Sequence, residues 1–179
     1  MRRIKYIDVG VSDIGKIYHI ADVHIRNLQR HKEYREVFSN LYGYILSTMR
    51  ENDIIYIAGD IVHAKTDMSP EVVDLTQEFL CKLSDLLPTI VIPGNHDANL
   101  NNTSRLDALS PIIKALDHPN LHYVKDTGAV GIGGYTFVHK SIWDKSEGFP
   151  PATDYKKNNG RIAMLHGPVD NIETEHGFV

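Results

Sequence analysis

Cysteine is nearly missing from this chain. Cys81 is the only one in 179 residues, so no disulfide can close within it, and a reducing, cytosol-like setting is expected, with a nuclear or viral-replication compartment as the variant that depends on source. Long apolar runs are missing too. No stretch approaches the roughly 20 apolar residues of a membrane-spanning helix. No apolar segment follows the charges of Met1-Arg2-Arg3-Ile4-Lys5-Tyr6, so neither a membrane partner nor a secretory leader is expected. An excess of positive charge is lacking as well. With 19 Lys and Arg against 23 Asp and Glu, the net charge is -4. Bulk charge therefore does not hold nucleic acid, and any such contact must be local or bridged by metal ions. No internal repeat or low-complexity tract interrupts the chain. What is present is a hydrophobic share of 42%, which is enough for one domain with a real core over residues 1–179.

The apolar residues fall into short β-branched runs and longer helical stripes. Residues 17–21, 53–58, 89–92 and 161–165 read as buried strands. Tyr34, Val37, Phe38, Leu41, Tyr42, Ile45, Leu46 and Met49 repeat at helical spacing. Ser69-Pro70-Glu71 reads as a helix start with a capping Ser, Pro in the first turn and an acid near the positive end of the dipole; Val72, Phe79, Leu80, Leu83, Leu86 and Leu87 follow. A third helix is expected around 107–116. Residues 121–138 shift to short strands, with Gly133-Gly134 as a hairpin turn, and 141–160 is polar enough to be a loop. Alternating strands and helices imply an α/β fold with a largely parallel sheet covered on both faces. In such sheets, sites form at the carboxyl ends of the strands.

The acids and histidines obey that rule. The strand at 17–21 runs into Asp22-Val23-His24, that at 53–58 into Gly59-Asp60, that at 89–92 into Pro93-Gly94-Asn95-His96-Asp97, and that at 161–165 into His166-Gly167. Carboxylate, imidazole and amide ligands suit borderline divalent ions such as Mn, Fe or Zn. Asp22 and His24 are two apart, so on an extended chain both would point the same way. Asp60 has two oxygens and can bridge two ions; ions about 3.5–4 Å apart can hold a hydroxide and clamp a phosphate for in-line attack. Gly59 and Gly94 let the backbone turn sharply and come close beside the ions.

The set Asp22-x-His24, Gly59-Asp60, Gly94-Asn95-His96-Asp97 and His166 resembles the calcineurin-like metallophosphoesterase superfamily, from about Ile17 onward. The resemblance implies a layered α/β/β/α sandwich. Within the superfamily, three stretches look most like the DNA double-strand-break repair nucleases of the SbcD type: His19 to His24, Gly59 to His63 with Met68-Ser69-Pro70-Glu71 after it, and Pro88 to Asp97. Protein Ser/Thr phosphatases usually carry Arg shortly after the Gly-Asp and Glu after Gly-Asn-His, where His63-Ala64 and Asp97 stand here. The resemblance implies that Asp22 and His24 bind a first ion, Asp60 bridges, and Asn95 and His166 bind a second, with Mn the ion and Fe or Zn permitted. It implies that His96 meets the scissile phosphate and helps protonate the leaving oxygen, that Asp97 orients His96, and that His63 approaches substrate. It further implies DNA as substrate, an SMC-like ATPase of the SbcC type as partner, and pairing into a homodimer. The superfamily closes its site with a Gly-His-x-His-like motif, and nothing after His166 supplies one; His176-Gly177 has the wrong order. A fold incomplete at its C-terminal end, truncated before that motif, is therefore expected, with weak or no activity of its own.

Plainer readings stand beside these. Asp22 and Asp60 could be caps after strands, Asn95 a turn residue, His166 structural and His63 a surface residue. His19 lies inside a strand and reads as structural, and His139 is left open with structure favoured. Arg26, Arg30, Lys32 and Arg35 form a basic cluster, either a solvated helix start or a patch where Arg26 and Arg30 contact phosphate. Two rival functions remain: a small nucleotide phosphodiesterase or phosphatase, and a non-catalytic assembly module.

Overall fold

The run at 54–57 forms the middle strand of the protein because all its side chains find apolar neighbours, on opposite faces in turn. In the computed structural model, which describes residues 5–151 and 159–167 and the backbone of 173–174 and 177–178, this run is β3 (Ile54–Ile57). Ile55 and Ile57 enter a core shared with helices, while Ile54 and Tyr56 enter a second core against another sheet. The two-residue period of a strand makes this division.

Around β3 lie β2 (Ile17–Ile20), β4 (Thr89–Val91) and β5 (Leu121–Tyr123). They form a sheet in the order β2-β3-β4-β5, parallel throughout. Its helix-covered face carries α1 (His31–Thr48), α2 (Pro70–Leu86) and α3 (Leu109–Leu116). Phe38 and Ile45 of α1 and Val72, Leu75, Phe79, Leu80 and Leu83 of α2 are buried there. Burying one such side chain stabilises by about 1.5–3 kcal/mol. Pro70 opens α2 as expected, and Ser69 stands at its cap position, although the Ser69 hydroxyl makes no capping hydrogen bond.

The other face packs on a second sheet in the order β1-β6-β7-β8. Its strands are β1 (Lys5–Tyr6), β6 (Gly128–Ile132), β7 (Tyr135–Lys140) and β8 (Arg161–Leu165). β6 and β7 are an antiparallel hairpin turned by Gly133-Gly134; β1 pairs with β6 and β8 with β7 in parallel. A short pair, β9 (Glu173–Thr174) and β10 (Gly177–Phe178), is antiparallel.

The fold is thus a layered α/β sandwich, and two details depart from expectation. The four strand ends do not share one sheet: three belong to the parallel sheet and the fourth, β8, to the second. Nor is β8 a buried strand. It lies at the edge of its sheet, and only Met164 of it is fully buried, because a single face of an edge strand is covered. The described residues make three layers, helices on sheet on sheet; an outer helical layer is not among them. No described helix is long and apolar enough to cross a membrane.

Candidate metal centre

The parallel register of β2, β3 and β4 brings their carboxyl ends side by side, so the three loops that follow must meet. They meet tightly. A Cβ on Gly59 would lie 2.6 Å from the backbone nitrogen of Gly94, and one on Gly94 would lie 2.0 Å from Oδ1 of Asp60. Real Cβ atoms do not come so close, so glycine is required where the second and third loops touch.

The first loop is not extended. Asp22 and His24 both take left-handed backbone, with φ of 55 and 50, and Asp60 does the same with φ of 55. The extended chain assumed for Asp22 and His24 is thus absent, although Nε2 of His24 and Oδ1 of Asp22 still lie 3.7 Å apart. Backbone hydrogen bonds hold the conformation: Asp22 N–H donates to Gly59 O and His24 N–H to Asp60 O. A left-handed non-glycine residue costs roughly 1–3 kcal/mol, and such residues persist where the surroundings over-determine them.

Asp60 is the hub. Its Oδ2 lies 3.6 Å from Nε2 of His24, and its Oδ1 lies 3.4 Å from Nε2 of His166, so the two oxygens face two histidines from two sheets. Oδ1 also accepts the backbone N–H of His96 at 2.8 Å. On the His24 side, Nε2 is 3.7 Å from Oδ1 of Asp22, and Nδ1 is buried without a partner. On the His166 side, Nδ1 lies 2.6 Å from the carbonyl oxygen of Ala58. A carbonyl only accepts, so Nδ1 carries the hydrogen and a neutral ring presents a lone pair at Nε2. That nitrogen is 3.0 Å from Oδ1 of Asn95. Lone pairs of Asp60, Asn95 and His166 converge, an arrangement that a divalent cation stabilises. Asp22, His24 and Asp60 form a second such group. The donor set of carboxylates, imidazoles and an amide fits Mn, Fe or Zn, so the residues fit the ions.

His96 lies beside this hub. Its Nδ1 donates to the carbonyl oxygen of His63 at 2.7 Å, which leaves Nε2 for the cleft. Its ring stands edge-on to that of His24, with centroids 4.7 Å apart, and is stacked on that of His63 at 5.5 Å. Partial desolvation, then the positive charge of Arg26, holds the pKa of His63 below the usual histidine range.

Asp97 corrects an expectation. It does not reach the ring of His96, whose Nδ1 is taken by the His63 carbonyl. It is instead fully buried, with Oδ2 accepting the N–H groups of Asp60 and Gly94 and Oδ1 that of Val62. Burial pushes its pKa up to about 6 against the pull of those donors. Asp97 is thus a positioning residue that knots the second loop to the third.

The basic cluster is also corrected. Arg30 pairs with Glu33 and lines an apolar groove with Val23 and Tyr34, away from the cleft, while Arg35 pairs with Asp74 and Glu78 of α2. The charge of Arg26, by contrast, acts on His63. His139 is buried, donating from Nδ1 to Asp126 O, and is structural. His176 lies outside the described residues.

These side chains open into a cleft of about 530 Å³ lined by Asp22, His24, Asp60, Asn95, His96 and His166. His19 lines it too, which sequence reasoning missed. Strand alternation was the available signal: Tyr18 faces the helices, so His19 faces the other way.

The sequence pattern of the calcineurin-like phosphoesterases matches residues 15–178. The uncharacterized protein R555 of Acanthamoeba polyphaga mimivirus is 41% identical over 192 residues, covering 98% of this chain; the chain spans only 14% of that relative's length. Among solved structures, the Pseudomonas putida nuclease MPE is 21% identical with a TM-score of 0.41, over 69% of this chain and 53% of its own. A protein of unknown function, AQ665 from Aquifex aeolicus, is 18% identical with a TM-score of 0.36, over 69% and 60%.

Proposed function

The chain belongs to the calcineurin-like phosphoesterase family, and from that premise we propose that it is a metal-dependent DNA nuclease that hydrolyses phosphodiesters in double-strand-break repair. One observation supports the catalytic part above the rest: the two oxygens of Asp60 each face a different histidine, Oδ2 facing His24 and Oδ1 facing His166. Asp22, His24 and Asp60 would hold one ion; Asp60, Asn95 and His166 would hold the other, with Mn as the ion. When bound, the ions supply positive charge to the phosphate and lower the pKa of a water.

The remaining work falls to the protein. Asp97 fixes the N–H groups of Asp60, Val62 and Gly94 and so keeps the ligand loops in place. The His63 carbonyl accepts from Nδ1 and fixes the ring of His96; in the doubly protonated ring, Nε2 would give its proton to the leaving oxygen. His63, stacked on His96, and Arg26, whose charge acts on His63, would meet a phosphate there. The DNA-repair part of the reading is supported by the motif resemblance at His19 to His24, Gly59 to His63 and Pro88 to Asp97. That resemblance also proposes an SMC-like ATPase of the SbcC type as partner, and a homodimer.

The test is Mn-dependent cleavage of linear and hairpin DNA by the protein and its His96→Ala variant. Weak cleavage is expected, with His96→Ala lowering kcat by roughly 10²–10⁴-fold and leaving Mn binding intact. Intact DNA together with hydrolysis of a small phosphodiester would replace the nuclease reading with that of a small phosphodiesterase.

A further inference from the structure

His19 is an odd residue for the place it occupies. A histidine within a strand is ordinarily covered and hydrogen-bonded, but His19 is exposed and its ring makes no hydrogen bond among the described residues. One contact organises it. The ring stacks on that of Tyr56, with centroids 5.3 Å apart and planes 20° apart. The two residues are register partners on β2 and β3. Tyr56 is only 9% exposed and belongs to the core between the sheets, so it is a fixed backing. β2 is the edge strand of its sheet, so among the described residues no further strand pairs beyond it.

The same ring lines the cleft that holds Asp22, Asp60 and His166. Leu165, on the second sheet, lines that cleft as well and is 37% exposed. One wall of the cleft thus offers an aromatic ring supported from behind, and another an exposed aliphatic side chain. Both stand within a few residues of the ligands: His19 is three before Asp22, and Leu165 is next to His166. Flat ring systems stack on such surfaces, and the contact tolerates any base because every base has a π-face.

We propose that His19, backed by Tyr56, is a stacking platform for the nucleobase attached to the phosphate held at the metal centre. The inference rests on the proposed phosphodiesterase reading and adds a specificity-determining residue to it. The platform distinguishes nucleotide esters from simple alkyl esters of the same charge, without reading base identity.

The test is calorimetric binding in the presence of Mn, using the intact protein and two monoesters, thymidine monophosphate and methyl phosphate. The nucleotide is expected to bind about tenfold more tightly than methyl phosphate. In His19→Ala that ratio falls to near unity, and in His19→Phe, which keeps a ring but no ionisable nitrogen, it returns. A ratio near unity in the unaltered protein overturns the platform, as does an equal loss for both esters in His19→Ala. A ratio lost in both the Ala and Phe variants makes the imidazole a polar contact and also overturns stacking. If neither ester binds with Mn present, the metal-centre reading fails and takes this inference with it, an outcome distinct from two esters that bind equally.

Discussion

The two sheets contribute to the candidate centre in very different ways. The parallel sheet delivers Asp22, His24, Asp60, Asn95 and His96 on three loops that are bonded to one another through Gly59 O, Asp60 O, Asp60 Oδ1 and both oxygens of Asp97. The second sheet delivers one candidate ligand, His166, which follows an edge strand of which only Met164 is fully buried. His166 is held across the gap by the Ala58 carbonyl and Asn95. A preformed half thus meets a docked half across a shared apolar core, and the His166 bonds to Ala58 and Asn95 join them at the candidate centre. The contrast teaches that ligand geometry is mostly a property of the first sheet, whereas completion of the second ion's site depends on how the sheets pack.

The largest effect is expected where the halves join. Asp60→Asn should abolish binding of both ions, read by equilibrium dialysis with Mn, and lower phosphodiester hydrolysis on the order of 10³-fold or more. Retention of two ions would break the comparison at its centre. Next comes Asp97→Ala, which leaves the N–H groups of Asp60, Val62 and Gly94 buried without their acceptor. At about 1–3 kcal/mol for each orphaned group, urea unfolding should show a loss of about 3 kcal/mol or more; a loss below about 1 kcal/mol would place the organisation of the loops elsewhere. His166→Ala should remove one ion from the Mn stoichiometry and, since the lost ring hydrogen-bonds Ala58 O and Asn95, lower stability by about 1 kcal/mol, less than Asp97→Ala.

The smallest effect is a pH dependence belonging to the second sheet. Burial holds the pKa of His139 below the usual histidine value. The unfolded chain therefore takes up a proton first as pH falls, and the contribution of His139, complete above about 6.5, is lost below it. A His139→Asn variant should show a flatter stability curve through that range in denaturant titrations at stepped pH. Curves that stay parallel would remove His139 as the source.

Much of this arrangement was legible before the structure. The strand at 54–57 could be placed because its residues are apolar and β-branched on both faces, and the ligand loops because each follows such a run. What stayed hidden depended on distance in space. Nothing in the spacing of Asp22 and His24 announces left-handed backbone at both, since the cause is hydrogen bonding to Gly59 and Asp60. The role of Asp97 was misread because adjacency to His96 suggested a partner, whereas its carboxyl group turns toward a loop that lies more than thirty residues away in sequence. Arg30 and Arg35 looked like a patch until Glu33, Asp74 and Glu78 were found against them. The assignment of 161–165 to a second sheet required the β6-β7 hairpin to be seen first, because β8 pairs only with β7.

The left-handed backbone at Asp22, His24 and Asp60 has a consequence for anyone who engineers this protein. Glycine adopts that conformation freely, so at Asp22, whose side chain is exposed, the thermally hardier substitution is one that deletes a candidate ligand. A directed-evolution screen run on heat resistance alone would drift toward a sturdier and empty scaffold. Improving this protein requires a selection in which metal retention and survival are scored together.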